Sequence, residues 1–360
     1  MKILQVITSL RVGGAEKLIV DMVPLYIQAG HQVDVLVFDG VDTTFKQQLI
    51  QQGIKIISFG INKSVYSPQF ILKLIPLLKQ YDIVHTHNTA CQYFVAFASL
   101  IISPSKRPKL VTTEHNTNNR RRNLWGFKHI DKWMYEKYQS VISISLQATQ
   151  NLSDFIGSNE KVKTIFNGIN IDLFLNAAHL KYERNTDEII LCMVAGFRDQ
   201  KDQDTLIRSL KYLPKQYKVW LVGDGDRRPI LENLVSNEKL ADRVHFWGVR
   251  SDIPQILKSS DIIVMSSHWE GLSLSSLEGM CVGKPFIASD VDGLHEIVKG
   301  YGVLFPHRDE KALAEVALRL STDKTYHSLI AKRCLERAQQ FDIKNTVKQY
   351  LDVYSRLIKE

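Results

Sequence analysis

Two carboxylates, Glu270 and Glu278, are separated by seven residues in the stretch 266–280, SSHWEGLSLSSLEGM. The first falls in a loop and the second in the short helix that follows. A helix amino end offers unpaired N–H groups and a partial positive charge, which suits a phosphate. One corner can therefore hold an anionic leaving group together with the hydroxyls of a sugar. Glu278 has a second reading. Ser275-Ser276-Leu277-Glu278 fits the S-x-x-E capping box, with the Glu side chain on the Ser275 N–H. Chemistry alone leaves cap and ligand roles both open.

Arg198 and Lys201 follow the apolar run 189–195. A cation pair beside a helix amino end can neutralise a departing diphosphate, and a solvated loop is the plainer alternative. Asp202 is placed to cap the next helix. Gly13 and Gly14 lie between the first strand and first helix, where small residues let a phosphate approach the backbone. A tight turn explains them equally well. Gly223 and Gly225 supply two glycines of a dinucleotide fingerprint, but Arg228 stands where the third belongs. His85, His87 and His115 all fall at the carboxyl ends of expected strands. No further ligand has suitable spacing, so no metal is expected. His115 is the best placed of the three to face a cleft.

Residues 120–138 mix six Lys or Arg with Trp125, Phe127, Trp133 and Tyr135. Such a mixture suits peripheral contact with an anionic membrane. The alternative is an amphipathic helix whose aromatics enter the core.

The elements that must position these residues alternate strand and helix twice. The first run starts at residue 2 and the second near residue 188. The expected architecture is α/β: two Rossmann-like, doubly wound parallel-sheet domains with a cleft between them. The boundaries fall at residues 1–168 and 169–344, with a last helix, 345–360, returning to the first domain. Residues 171–187 read as a polar loop. The stretch 293–299 reads as a helix.

The net charge of +8 favours anionic partners. No zinc-finger or RNA-binding signature is present, so nucleic acid is not expected. Four scattered cysteines fit reduced, buried thiols. No apolar run reaches the length of a membrane span, and the amino terminus reads as a strand, not a signal peptide.

Taken together, the motifs resemble the retaining GT-B glycosyltransferase family that carries an E-x-seven-E signature, in its bacterial capsule, exopolysaccharide and lipopolysaccharide branch. The order GGAEK, VHTHN, TEHN, FNGINID, QKD, VGDG, EGLSLSSLEGM and SDVDGLHE is that family's order. The resemblance implies a nucleotide-sugar donor and a glycan or lipid-linked glycan acceptor. It implies no cofactor and no metal, and a cytoplasmic location on the inner face of the membrane. Glu270 would face the donor sugar and Glu278 the ribose. The backbone of Gly271, Leu272, Ser273, Leu274 and Ser275 would meet sugar and diphosphate. Arg198 and Lys201, with Gly13 and Gly14, would stabilise the leaving diphosphate. His115 would lie near the reacting carbon, while Gly223, Gly248 and Val249 would serve the nucleotide. The chain departs from the family in one place: Ala195 or Gly196 stands where the family has an arginine. A nucleotide-sugar epimerase or hydrolase on the same scaffold, or a non-catalytic sensor, are the competing readings.

Overall fold

The computed structural model describes residues 1–11, 13–60, 64–115, 125–157 and 160–359. They divide into two compact units, Met1–Gly168 with Ile343–Glu360, and Ile169–Asp342.

In the first unit seven strands form one sheet: β1 (Lys2–Ile7), β2 (Gln32–Val37), β3 (Ile56–Ser58), β4 (Ile83–Thr86), β5 (Lys109–Glu114), β6 (Ser140–Ser143) and β7 (Val162–Thr164). Their order is β3-β2-β1-β4-β5-β6-β7, and every pairing is parallel. The central strands are buried on both faces because helices cover both. One core joins β1 and β2 to the helices Gly14–Gln28 and Ile343–Lys359 through Leu18, Met22, Tyr350 and Tyr354. The other lies under Phe70, Leu74, Val95 and Tyr138.

The second unit repeats the scheme with six strands: β8 (Ile189–Val194), β9 (Tyr217–Val222), β10 (Val244–Gly248), β11 (Ile262–Met265), β12 (Phe286–Ser289) and β13 (Val303–Phe305). The order is β10-β9-β8-β11-β12-β13, again parallel throughout. The order reverses between β8 and β11, as it does between β1 and β4 in the first unit. Loops leaving the carboxyl ends of such strands diverge to opposite faces and leave a crevice for ligands.

Two elements differ from expectation. Residues 171–175 are helical, because Asn170 caps the helix Ile171–Leu175 and its Ile171 and Phe174 are buried. The expected helix 293–299 shrinks to His295–Val298, since Gly293 is left-handed at φ 82° and cannot join it.

Candidate functional site

In the second unit, the loop after β11 runs over residues 266–273 into the helix Leu274–Cys281. That helix begins two residues too early for Glu278 to cap it. Ser273 takes the extended conformation of an N-cap and its Oγ accepts from the Ser276 N–H at 3.3 Å. Ser275 is already helical and Glu278 is well inside the helix, which rules out the capping-box reading. Among the described residues, the N–H groups of Gly271, Leu272, Ser273, Leu274 and Ser275 donate to nothing. They form a row of donors at a helix start.

Glu270 is the best-anchored side chain of the corner. Its Oε1 lies 2.6 Å from Lys201 Nζ and 2.6 Å from Ser267 Oγ. The Glu270 side chain is 5% exposed and that of Lys201 20%. Its backbone is held from a different loop, with Glu270 N donating to Asp292 O at 3.1 Å. Gln200 holds the opposite side: its O accepts from His268 N, and its Nε2 donates to Trp269 O at 2.8 Å.

Lys201 ends a single 3-10 turn, Asp199–Lys201, which four residues separate from the end of β8. Asp202 then turns left-handed at φ 47° and caps the helix Gln203–Ser209 through Thr205. The cap expected at Asp202 is therefore present. Arg198 is exposed and makes no ion pair among the described residues, so Lys201 and Glu270 come together while Arg198 stands apart.

Gly223 is left-handed, and a Cβ on it would strike Ala195 O. Its N–H donates to Gly248 O at 2.8 Å, which draws the ends of β9 and β10 together. A side chain is excluded here by packing alone. Val249 is 72% exposed. Beside it, Trp247 packs on Trp220 and His245, with Arg250 over its ring at 5.2 Å. Trp247 Nε1 is buried and has no partner among the described residues.

Among the described residues, one set of metal-type donors converges: Asp202, His268 and His307 place ligand atoms within 4.8 Å of one another. His268 Nδ1 and His307 Nε2 stand 2.7 Å apart, the spacing of a direct hydrogen bond.

In the first unit, Gly13 precedes the helix Gly14–Gln28 without a side-chain cap. The Glu16 carboxylate folds back over it, so closely that a Cβ on Gly13 would collide. Burial pushes the Glu16 carboxyl up. The amino end of this helix thus faces a carboxylate of its own chain. His87 and His115 meet at 3.1 Å through Nδ1 and Nε2. Burial holds His115 well below the ordinary histidine range, at about 4. His85 and His87 are pushed down too, by burial first and by neighbouring histidines second. All four ring nitrogens of these two residues have protein partners.

Of the aromatic, basic segment, residues 120–124 lie outside the described residues. The helix Trp125–Glu136 sends Met134 and Tyr135 into the core, and Trp133 packs on Phe97 at 4.7 Å. Phe127 and Ile130 are exposed, as are Phe97, Leu100 and Ile101 on the neighbouring helix Thr89–Ile101. No helix among the described residues is long and apolar enough to cross a membrane.

Both halves of the chain match known glycosyltransferase families. Residues 12–173 match the model described as Glycosyltransferase Family 4, and residues 176–341 that of Glycosyl transferases group 1. The chain belongs to the GT-B glycosyltransferases. It is 28% identical to an Escherichia coli UDP-Gal:alpha-D-GlcNAc-diphosphoundecaprenol alpha-1,3-galactosyltransferase, over 80% of this chain and 79% of the relative. It is 26% identical to the N-acetyl-alpha-D-glucosaminyl L-malate synthase of Bacillus anthracis, over 78% and 76%. The solved structure of Anabaena HepE with UDP superposes with a TM-score of 0.81 at 24% identity, covering 99% of this chain and all of that one.

Sequence reasoning missed Ser267, Gln200 and Asp292 with Gly293. Ser267 is visible only as one serine of a pair. The Asp-Gly step at 292–293 is a turn signal that marks the place without revealing its contact with Glu270.

Proposed function

We propose that the protein moves a sugar from a nucleotide-sugar donor to a hydroxyl of a growing, lipid-linked bacterial surface glycan, retaining the anomeric configuration. The observation that carries this reading is the Lys201–Glu270 pair beside the row of N–H donors at residues 271–275. Cations and oriented N–H groups act best where charge develops, here the oxygen bridging sugar and diphosphate. The bond from the anomeric carbon to that oxygen breaks, and the acceptor hydroxyl forms the new bond on the same face. Its proton passes to the leaving diphosphate.

In this reading Glu270 faces the sugar and Glu278 the ribose, with Gly248 and Val249 beside the base. Lys201 and Arg198 receive the diphosphate, beside the N–H donors of residues 271–275. His115 lies by the acceptor. The positive field is supplied by protein groups, so the chemistry needs no metal. HepE was solved with UDP and with UDP-glucose, which favours a nucleotide-sugar donor. The name of the Escherichia coli relative specifies a sugar on diphosphoundecaprenol, which favours a lipid-linked acceptor. The exposed apolar side chains on Thr89–Ile101 and Trp125–Glu136 suit contact with the cytoplasmic face of an anionic membrane.

The test is a panel of UDP-, GDP-, ADP- and dTDP-sugars with a polyprenyl-diphosphate-linked sugar as acceptor, run with and without chelator. One donor should give a product of retained configuration, at the same rate with chelator. Inverted product, or donor consumption without a new glycosidic bond, would sink the reading.

A further inference from the structure

Beneath β1, β4 and β5 lies a buried polar chain where a parallel sheet is ordinarily apolar. Gln5, His85, His87 and Thr113 are almost fully buried, as are Tyr350 and Tyr354 of the helix Ile343–Lys359. Burial keeps both histidines neutral. A neutral imidazole has one donor nitrogen and one acceptor nitrogen, so fixing one bond fixes the other.

The chain can be followed from its tyrosine end. Tyr354 Oη stands 2.5 Å from His85 Nδ1. A phenol is a better donor than an imidazole N–H, so Tyr354 donates and Nδ1 accepts. His85 then carries its proton on Nε2 and donates to Thr113 Oγ1 at 2.8 Å. With its proton committed to His85, Tyr354 Oη can only accept from Gln5. The amide therefore turns Nε2 toward Tyr354, at 3.5 Å, and Oε1 toward His87 Nε2, at 2.6 Å. An amide oxygen only accepts, so His87 Nε2 bears the proton and its Nδ1 is bare. That bare nitrogen lies 3.1 Å from His115 Nε2, which must be the donor.

We infer that Gln5 and His87 are positioning residues that hold His115 in its Nε2–H form, leaving Nδ1 as a lone-pair acceptor for a substrate hydroxyl. Among the described residues nothing donates to His115 Nδ1. A sugar or acceptor hydroxyl would give its proton to this nitrogen in a hydrogen bond and could receive none from it. Only this last step rests on the function proposed above; the tautomer itself is a property of the free protein.

The experiment is long-range proton–nitrogen correlation NMR on the full chain labelled with nitrogen-15 in histidine, at pH 7. His115→Gln assigns the signal. The expected spectrum gives His115 a pyrrole-type Nε2 and a pyridine-type Nδ1. A pyrrole-type Nδ1 would mean the chain runs in reverse and would overturn the inference. Two variants test positioning. His87→Asn places an oxygen near the former Nδ1 and should keep the His115 tautomer. His87→Leu removes the acceptor, should mix the tautomers, and should lower kcat about tenfold, the worth of one hydrogen bond, with little change in donor KM. An unmixed tautomer in folded His87→Leu overturns the positioning role. If His87→Leu fails to fold, a lost tautomer in His87→Asn does the same. Absence of transfer from every donor, with the expected spectrum intact, would instead count against the proposed function.

Discussion

Lys201 Nζ lies 2.6 Å from Glu270 Oε1 although the two stand 69 positions apart in the chain. Adjacent strands at the order reversal bring them together: Lys201 closes the turn after β8 and Glu270 sits in the loop after β11. Lys201→Ala leaves the Glu270 carboxylate, 5% exposed, with Ser267 Oγ as its side-chain partner among the described residues. Unfolding in urea should show a loss of about 2 kcal/mol, the scale of a hydrogen bond to a charged group. Transfer should fall by about a hundredfold or more, the scale for removing one group that stabilises developing charge. Unchanged kcat in the folded variant would detach this pair from the chemistry.

Much of the fold is legible because its strands are short apolar runs set between glycines and helical periods. Ile262–Met265 and Phe286–Ser289 are examples. The Lys201–Glu270 contact is not legible from the residues around either partner. It depends on which strands are neighbours, and strand order is a property of the whole sheet. Serine identity likewise hides the cap of Leu274–Cys281. Ser273, Ser275 and Ser276 are chemically alike, and backbone conformation at Ser273 decides among them.

Ser273→Ala should therefore cost about 1 kcal/mol, the usual worth of an N-cap. Ser275→Ala should cost less than about 0.5 kcal/mol, as for a change that touches no special feature. Denaturant midpoints of the two variants against the parent decide it. Equal losses would restore Ser275 as a participant in the cap.

Acid should destabilise the first unit through its histidines. Burial holds His115 at about 4 in the folded chain, below the ordinary histidine value of about 6.5, and lowers His85 and His87 as well. The unfolded chain binds more protons in this window, so stability rises with pH across it. The contribution is complete above about pH 6.5 and disappears as pH falls through about 4. Glu16 and Asp21 oppose it in part, because burial raises their carboxyl groups. In urea titrations at several pH values, His115→Gln should show a shallower acid loss than the parent. Parallel curves would remove His115 from the account.

The apolar side chains of Leu100 and Ile101 are exposed on one end of the helix Thr89–Ile101. Replacing both with Glu removes apolar area and adds charge that an anionic surface repels. Binding to vesicles containing anionic lipid should weaken by about tenfold or more, on the basis of roughly 1 kcal/mol per charge near such a surface. Melting temperature should stay within a few degrees, since exposed positions carry little stability. Co-sedimentation with anionic and with neutral vesicles reads the effect. Equal sedimentation of parent and variant would mean that this face does not meet lipid.

Gly293 provides the most local test of the corner. It is left-handed at φ 82°, and its N–H donates to Glu296 Oε2 at 2.7 Å. A Cβ there would strike the carbonyl carbon and oxygen of Glu270 and the oxygen of Gly271. Asp292, one residue earlier, accepts the Glu270 N–H. Gly293→Ala thus strains its own backbone and pushes on the peptide that carries Glu270. Gly300 separates the two effects: it is also left-handed, at φ 83°, but a Cβ there meets nothing within 4 Å. Gly300→Ala should cost about 1 kcal/mol for the left-handed conformation alone and leave transfer unchanged. Gly293→Ala should cost more and slow transfer by about a hundredfold, as expected when a reacting group is displaced by about 1 Å. If the two variants lose stability equally and both transfer at the parental rate, the contact between Gly293 and Glu270 does not set the geometry of the corner.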